Sequence, residues 1–259
     1  MSITSSGNRT GRLQGKRAIV TGAAGALGRV IAETLASEGA DVAGLDLNAA
    51  GLAETAALVE AHGVRALSAT ADLTDFDAVQ DAVASIVSEW GGVDILLNGA
   101  GGGAVEFFHE MTPEIWQTQM DRNLSSVFNV TRAVLPSMLD QKFGRIINIA
   151  SIAAVSGGRL VRGATAYAAA KAGVVGLTKA LAIEVAEQGV TVNALAPGAQ
   201  ATPGRDNDTP ERREALLDQI PTRLLGQPEH LAQTVVFLAA PESVNITGLI
   251  LPLDGGHSI

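Results

Sequence analysis

Residues 18–28, AIVTGAAGALG, decide the reading of this chain. Residues 18–20 are a short apolar run of the kind that forms a buried strand. Thr21 to Gly28 then gather three glycines into a turn, and residues 29–38 carry Val30, Ile31, Leu35 and Ala36 at helical spacing. Gly39 closes that helix in the usual C-terminal glycine role. A strand that passes through a glycine-rich turn into a helix brings backbone N–H groups to a helix N-terminus, where an anion is favoured. Many such turns serve only packing, so the surroundings must decide.

Outward from that stretch the same unit repeats. Strands are expected at 42–45, 64–69 and 93–97, with helices at 49–61 and 75–90 between them. The second half adds helices at 113–123 and 124–139, a strand at 145–149, a long helix at 165–188, a strand at 190–195, a helix at 228–240 and a strand at 249–252. Strand, helix, strand at this spacing implies parallel strands with right-handed crossovers. The expected architecture is therefore a single α/β domain over 16–259. It is a doubly wound, Rossmann-type parallel sheet of about seven strands with helices on both faces. Residues 1–15 are polar and aperiodic and read as a flexible lead-in. Residues 199–221 are polar, break the rhythm, and read as a mobile substrate lid.

Composition narrows the function. The 259 residues include 27 acidic and 18 basic side chains, for a net charge of −9. That balance argues against a nucleic-acid binder, whose affinity comes largely from Lys and Arg. The absence of cysteine removes disulfides, thiolate zinc sites and cysteine nucleophiles. His62, His109, His230 and His257 are scattered without ligand spacing, so no metal is expected. No apolar run approaches the roughly 18 residues of a membrane span. The first residues lack the apolar core of a signal peptide, which together with the missing cysteine suggests a cytoplasmic protein.

In a doubly wound sheet, loops at the carboxyl ends of the strands line the ligand crevice. Asp46 ends the second strand, where it either accepts bonds from an adenosine ribose or caps the following helix. A carboxylate there repels a 2′-phosphate, and no Lys or Arg lies between Thr21 and Arg29, so NAD is favoured over NADP. Asp72-Leu73 and Asn98-Gly99-Ala100 follow the third and fourth strands, with a helix cap and a turn as their plain alternatives. At the other end, Tyr167 is the only tyrosine, and Lys171 lies one helical turn on. A phenol is a poor base near neutrality, but a neighbouring ammonium favours phenolate and makes acid–base work feasible. Ser151 follows the fifth strand and can bond a substrate oxygen as charge develops on it. Alone, Tyr-x-x-x-Lys more often marks an exposed surface pair.

The pair is not alone. TGAAGALG, Asp72, NGAG, Asn123, Ser151, Tyr167-Ala-Ala-Ala-Lys171, Pro197-Gly198 and Asp254-Gly255-Gly256, in this order, resemble the short-chain dehydrogenase/reductase family from Leu13 to Gly256. The resemblance implies a catalytic set of Asn123, Ser151, Tyr167 and Lys171. Tyr167 is then the acid/base, Ser151 orients the substrate, and Asn123 holds a relay water. Lys171 binds the nicotinamide ribose and lowers the tyrosine pKa. It assigns the cofactor to Gly22, Gly25, Leu27, Gly28, Asp46, Leu47, Asp72, Leu73, Asn98, Gly99, Ala100, Tyr167, Lys171, Pro197, Gly198 and Thr202. Two departures stand out: Ala26 replaces the middle glycine of the turn, and Gly99 replaces the second asparagine of the strand-end motif.

The expected activity is NAD-dependent interconversion of a secondary alcohol and a ketone. Rivals are a cofactor-recycling isomerase on the same fold and a non-catalytic NAD-binding scaffold. Family likeness also implies a homotetramer packed through 123–139 and 165–188. Segments 102–111, 152–164 and 199–221 should form the substrate mouth. There Arg159 and Arg162 either meet an anionic substrate group or lie in a solvated loop. His109 either lines the pocket or is exposed, and Phe107 and Phe108 form an apolar wall or core.

Overall fold

The computed structural model describes residues 11–103, 105–157 and 162–259. Seven strands form one parallel sheet in the order β3-β2-β1-β4-β5-β6-β7. They are β1 Arg17–Thr21, β2 Asp41–Asp46, β3 Ala66–Thr70, β4 Ile95–Asn98, β5 Gly144–Ile149, β6 Val190–Pro197 and β7 Ile250–Leu253. The strand order runs one way from β1 to β3 and the other way from β4 to β7. The crevice of such a sheet opens where that direction reverses, between β1 and β4. There Thr21 stands opposite both Leu45 and Asn98.

The central strands are apolar on both faces because helices cover both. On one side Ala18 and Val20 pack with Ile31 and Leu35 of α1 (Ala26–Ser37), Leu52 of α2 (Ala49–Glu60) and Leu231 and Val235. On the other, Ile19 and Leu96 meet Val79, Val83 and Ile86 of α3 (Phe76–Trp90) and Val130 and Val134. The remaining helices are α4 Pro113–Met120, α5 Ser126–Asp140, α6 Ala153–Ser156, α7 Thr165–Val185, α8 Pro210–Leu217 and α9 Pro228–Ala239.

Several boundaries differ from the sequence reading. Helix α1 starts at Ala26 rather than 29, because Gly25 is its extended N-cap. β4 starts at Ile95, since Gly92 (φ +147°) turns the chain and Asp94 is taken by the Arg17 guanidinium at 2.7 Å. The helices expected at 113–123 and 124–139 are α4 and α5, joined through a π-turn at Asp121–Ser125. Such one-turn insertions concentrate at functional positions. Helix α8 lies inside 199–221, where its only apolar residues after Pro210, Ala215-Leu216-Leu217, are too few to leave an apolar period to read. That excursion is tied at its neck, Ala201 N–H to the Gly226 carbonyl at 2.8 Å and Gly226 N–H to the Ala199 carbonyl at 2.9 Å.

Of the expected lead-in, residues 1–10 lie outside the described residues. Gly11 to Gly15 are packed: Leu13 is fully buried, its N–H donates to the Glu38 carbonyl at 2.9 Å, and Arg12 pairs with Glu242 at 2.7 Å. Among the described residues no helix is long and apolar enough to cross a membrane.

Candidate active site

The turn after β1 needs glycine at two places. Gly22 sits at φ +70°, and a Cβ there would fall 2.9 Å from the Ala100 Cα. A Cβ on Gly28 would fall 2.1 Å from the Gly22 carbonyl oxygen. The Thr21 hydroxyl accepts from the N–H groups of Gly99 (3.0 Å) and Ala100 (3.1 Å), so the ends of β1 and β4 are locked together. Between them opens a cleft of about 810 Å³, within the size range of small-molecule and cofactor pockets.

Gly22, Gly25, Leu27, Gly28, Asp46, Leu47, Asp72, Leu73, Gly99, Ala100 and Thr202, all expected at the cofactor, line this cleft. The sequence reading missed Thr118, Arg122 and Ser126 in the wall. Their spacing, one turn apart each time, was a helical-face signal with no motif to raise it. Ala26 also lines the cleft. As the first residue of α1 it places a methyl where the family carries a bare glycine.

Neither acidic candidate is a helix cap. Asn48 caps α2 by accepting from Gly51 N–H at 3.0 Å, and Asp75 caps α3. Asp46 instead accepts from Ala24 N–H (3.1 Å) and Asn48 N–H (3.0 Å) at the rim of the cleft. Asp72 accepts from the Thr74 N–H (2.9 Å) and hydroxyl (2.7 Å), which hold its carboxyl below the usual range. Arg29, the first basic residue after the turn, is held by Glu54 at 2.6 Å. Bare backbone at the helix end and two carboxylates beyond it fit the phosphates and the sugar and base of a dinucleotide.

Three further expected cofactor residues, Asn98, Pro197 and Gly198, are not among the residues lining this cleft and make framework contacts. Asn98 is 1 % exposed, and its amide donates to Thr131 Oγ1 (3.0 Å) and Asn148 Oδ1 (2.8 Å) rather than facing the cleft. Asn148 continues to Thr178 Oγ1 at 2.9 Å, so these amides stitch β4 and β5 to α5 and α7. Pro197 accepts from Ile152 N–H at 3.2 Å, and Gly198 lies so close to Asp254 that a Cβ would fall 2.8 Å from its Cβ. Gly99 has no room for the family's asparagine, since a Cβ there would lie 2.8 Å from the Thr21 carbonyl oxygen.

The four expected catalytic side chains come together at the ends of β4 and β5. The π-turn carries Asn123, fully buried, whose Oδ1 accepts from Gly102 N–H and whose Nδ2 donates to the Gly102 carbonyl, both at 3.0 Å. Lys171 is 3 % exposed and donates to the Ile149 carbonyl at 2.7 Å. Burial lowers its pKa to about 8. Its Nζ stands 5.9 Å from the Tyr167 ring centroid. Ser151 Oγ accepts from Ala153 N–H at 3.1 Å. Burial raises the Tyr167 pKa and the Ser151 hydroxyl opposes it. In the protein alone desolvation is the larger influence on this phenol, and one of the three Lys171 N–H groups is engaged by the Ile149 carbonyl.

At the expected mouth, Phe107 and Phe108 are exposed (50 % and 70 %), so they are not core. His109 is exposed beside Glu110, and Arg162 is exposed. Arg159 lies outside the described residues. Among the described residues no group of three or more His, Asp or Glu side chains is placed to hold a metal.

The family profile described as short chain dehydrogenase matches residues 16–213, and the chain belongs to that family of nicotinamide-dependent oxidoreductases. It is 41 % identical over 244 residues to the 3-oxoacyl-(acyl-carrier-protein) reductase FabG of Vibrio cholerae, covering 94 % of this chain and 98 % of that one. It is 38 % identical over 247 residues to a (2S)-((R)-hydroxy(phenyl)methyl)succinyl-CoA dehydrogenase subunit, BbsD, of Thauera aromatica, covering 95 % and 98 %. Among solved structures, carveol dehydrogenase from Mycobacterium avium in complex with NAD superposes with a TM-score of 0.91 at 31 % identity, covering 96 % of this chain and 99 % of that one.

Proposed function

We propose that this protein interconverts a ketone and a secondary alcohol by hydride transfer with NAD(H), and that its substrate is a 3-oxoacyl or 3-hydroxyacyl thioester. The observation that carries the reaction is the grouping of Ser151, Tyr167, Lys171 and Asn123 beside Gly101, which lines the cleft and lies against Asn123 and Lys171. The bound nicotinamide supplies or accepts the hydride; the residues govern the proton. Ser151 uses a lone pair on Ala153 N–H, which leaves its O–H to donate to the substrate oxygen. Tyr167, kept protonated by burial, is set up to give its proton to that oxygen as it becomes alkoxide, the direction of ketone reduction. Lys171, with its pKa near 8, and the clamped Asn123 amide are the next stations for proton resupply.

NAD rather than NADP rests on Asp46, whose carboxylate occupies the rim where a 2′-phosphate would have to lie. The thioester class rests on the names of two relatives, one acting on a 3-oxoacyl carrier-protein ester and one on a CoA ester. We take 199–221 as the lid over that substrate. A homotetramer built on α5 and α7 is supported by Phe128 and Ile183, exposed at 52 % and 82 %; sedimentation velocity reads it directly.

The test is Tyr167→Phe, assayed with acetoacetyl-CoA and NADH. Turnover should fall by about 10²- to 10⁴-fold, the usual contribution of a placed acid, while the Kd for NADH by fluorescence stays within about twofold. Turnover near that of the unmodified protein overturns the reading.

A further inference from the structure

Gly101, Gly102 and Gly103 run from the end of β4 across the grouped side chains. Gly102 closes the two-bond clamp on the Asn123 amide, both bonds at 3.0 Å. Gly101 is held at φ +145°, and a Cβ on it would fall 2.7 Å from Asn123 Oδ1 and 3.4 Å from Lys171 Nζ. A Cβ on Gly103 would fall 3.3 Å from both Cγ and Cδ2 of Tyr167 and 3.6 Å from its Cβ. A Cβ on Gly102 would meet nothing within 4 Å. The strap therefore touches the relay amide through its backbone and lies against the phenol ring through a bare Cα, with open space only at its middle residue.

We propose that Gly103 is a positioning residue for Tyr167: its missing side chain lets the phenol ring seat against Ser151, in one frame with the Asn123 amide that the strap holds at Gly102. This rests on the proposed role of Tyr167 as acid/base. A methyl at 103 requires the ring to give by a few tenths of an ångström, since 3.3 Å is tighter than nearly all real Cβ contacts. Displacing the ring weakens its contact with the Ser151 hydroxyl, which favours phenolate, and the added carbon removes water from the ring. Both changes act in the same direction, toward a higher phenol pKa.

The chain offers an unusually clean probe, because Tyr167 is its only tyrosine. Tyrosinate absorbance in a rapid pH jump therefore reads this one phenol, and Lys171, the titratable neighbour on α7, is silent in that signal. Gly103→Ala should move the midpoint upward by about 0.5 pH. It should also lower kcat for acetoacetyl-CoA with NADH by about tenfold, in keeping with the sensitivity of placed groups to sub-ångström shifts, with the Kd for NADH unchanged. Gly102→Ala, whose methyl points into open space, should move the midpoint far less. Gly103→Ser, which adds the same Cβ, takes over if the alanine variant does not fold. A Gly103→Ala midpoint equal to that of the unmodified protein, or an equal shift in Gly102→Ala, overturns the inference. Tyr167→Phe in the same series must abolish the absorbance step. If that variant keeps its turnover, the proposed function fails while the titration still reports on the ring.

Discussion

The Lys171 ammonium donates to the Ile149 carbonyl at 2.7 Å, fastening α7 to the last residue of β5 from beneath the Tyr167 ring. That bond places a cation where water does not reach it, and the cost appears in its own titration rather than in that of the phenol. Ile149 ends β5 just before Ser151, so the same bond sets the height of the tyrosine helix above the serine.

This arrangement makes stability depend on pH in a particular window. The folded-state pKa of Lys171, about 8, lies below its ordinary 10.5. The unfolded chain then holds more protons between these values, and stability rises with pH across about 8 to 10.5. Burying the charge opposes folding by on the order of 3 kcal/mol at neutral pH. Lys171→Met removes that opposition but orphans the Ile149 carbonyl, which costs about 1–3 kcal/mol. The expected outcome is a variant that melts within a few degrees of the unmodified protein at pH 7. It should then fall behind it as pH rises from 8 to 10 in thermal denaturation.

Asp46 yields a prediction on cofactor choice. Asp46→Asn keeps an acceptor for the Ala24 or Asn48 N–H while removing the charge. The ratio of kcat/KM for NADH to that for NADPH should fall at least about tenfold, which is about 1.4 kcal/mol. A protein that uses NADPH tenfold better than NADH before any substitution contradicts the NAD assignment.

Arg145 separates stability from chemistry. It is 1 % exposed, and among the described residues its hydrogen-bond partners are carbonyls, those of Gly144 (2.9 Å), Pro241 (3.2 Å), Ala240 (3.4 Å) and Gly189 (3.4 Å). Its guanidinium also lies over the Phe143 ring, 4.4 Å from the centroid. It stands at the start of β5, at the opposite end of the strand from Ser151. Arg145→Ala leaves a cavity and orphaned carbonyls, together about 3 kcal/mol or more. The melting temperature should drop by roughly 10 °C, with KM and kcat of the remaining folded enzyme unchanged.

Sequence reasoning reached the sheet because its strands are written locally, and the expected catalytic set because its motifs follow a family's order along the chain. Strands buried on two faces are short apolar runs, and Tyr167 and Lys171 share a helix face by spacing alone. It failed where the deciding partner is distant in sequence. Asn98 follows a strand that ends at the crevice, yet Thr131 and Asn148 claim its amide. Arg122 and Ser126 line the cleft beside Thr118, a helical face that no motif marks. Spacing likewise gives the helical turn shared by Tyr167 and Lys171 but not the Ile149 carbonyl that the ammonium finds.

The π-turn at Asp121–Ser125 contains one residue more than a regular helix would use over the same rise. Excising a single residue there would let α4 and α5 fuse into an unbroken rod, at no loss to the backbone ladder. Asn123 would swing about a quarter-turn away from Gly102. The chain thus carries the Asn123 amide on a surplus unit that helix geometry alone would expel, and a one-codon deletion is expected to unhook it from Gly102 and lower turnover.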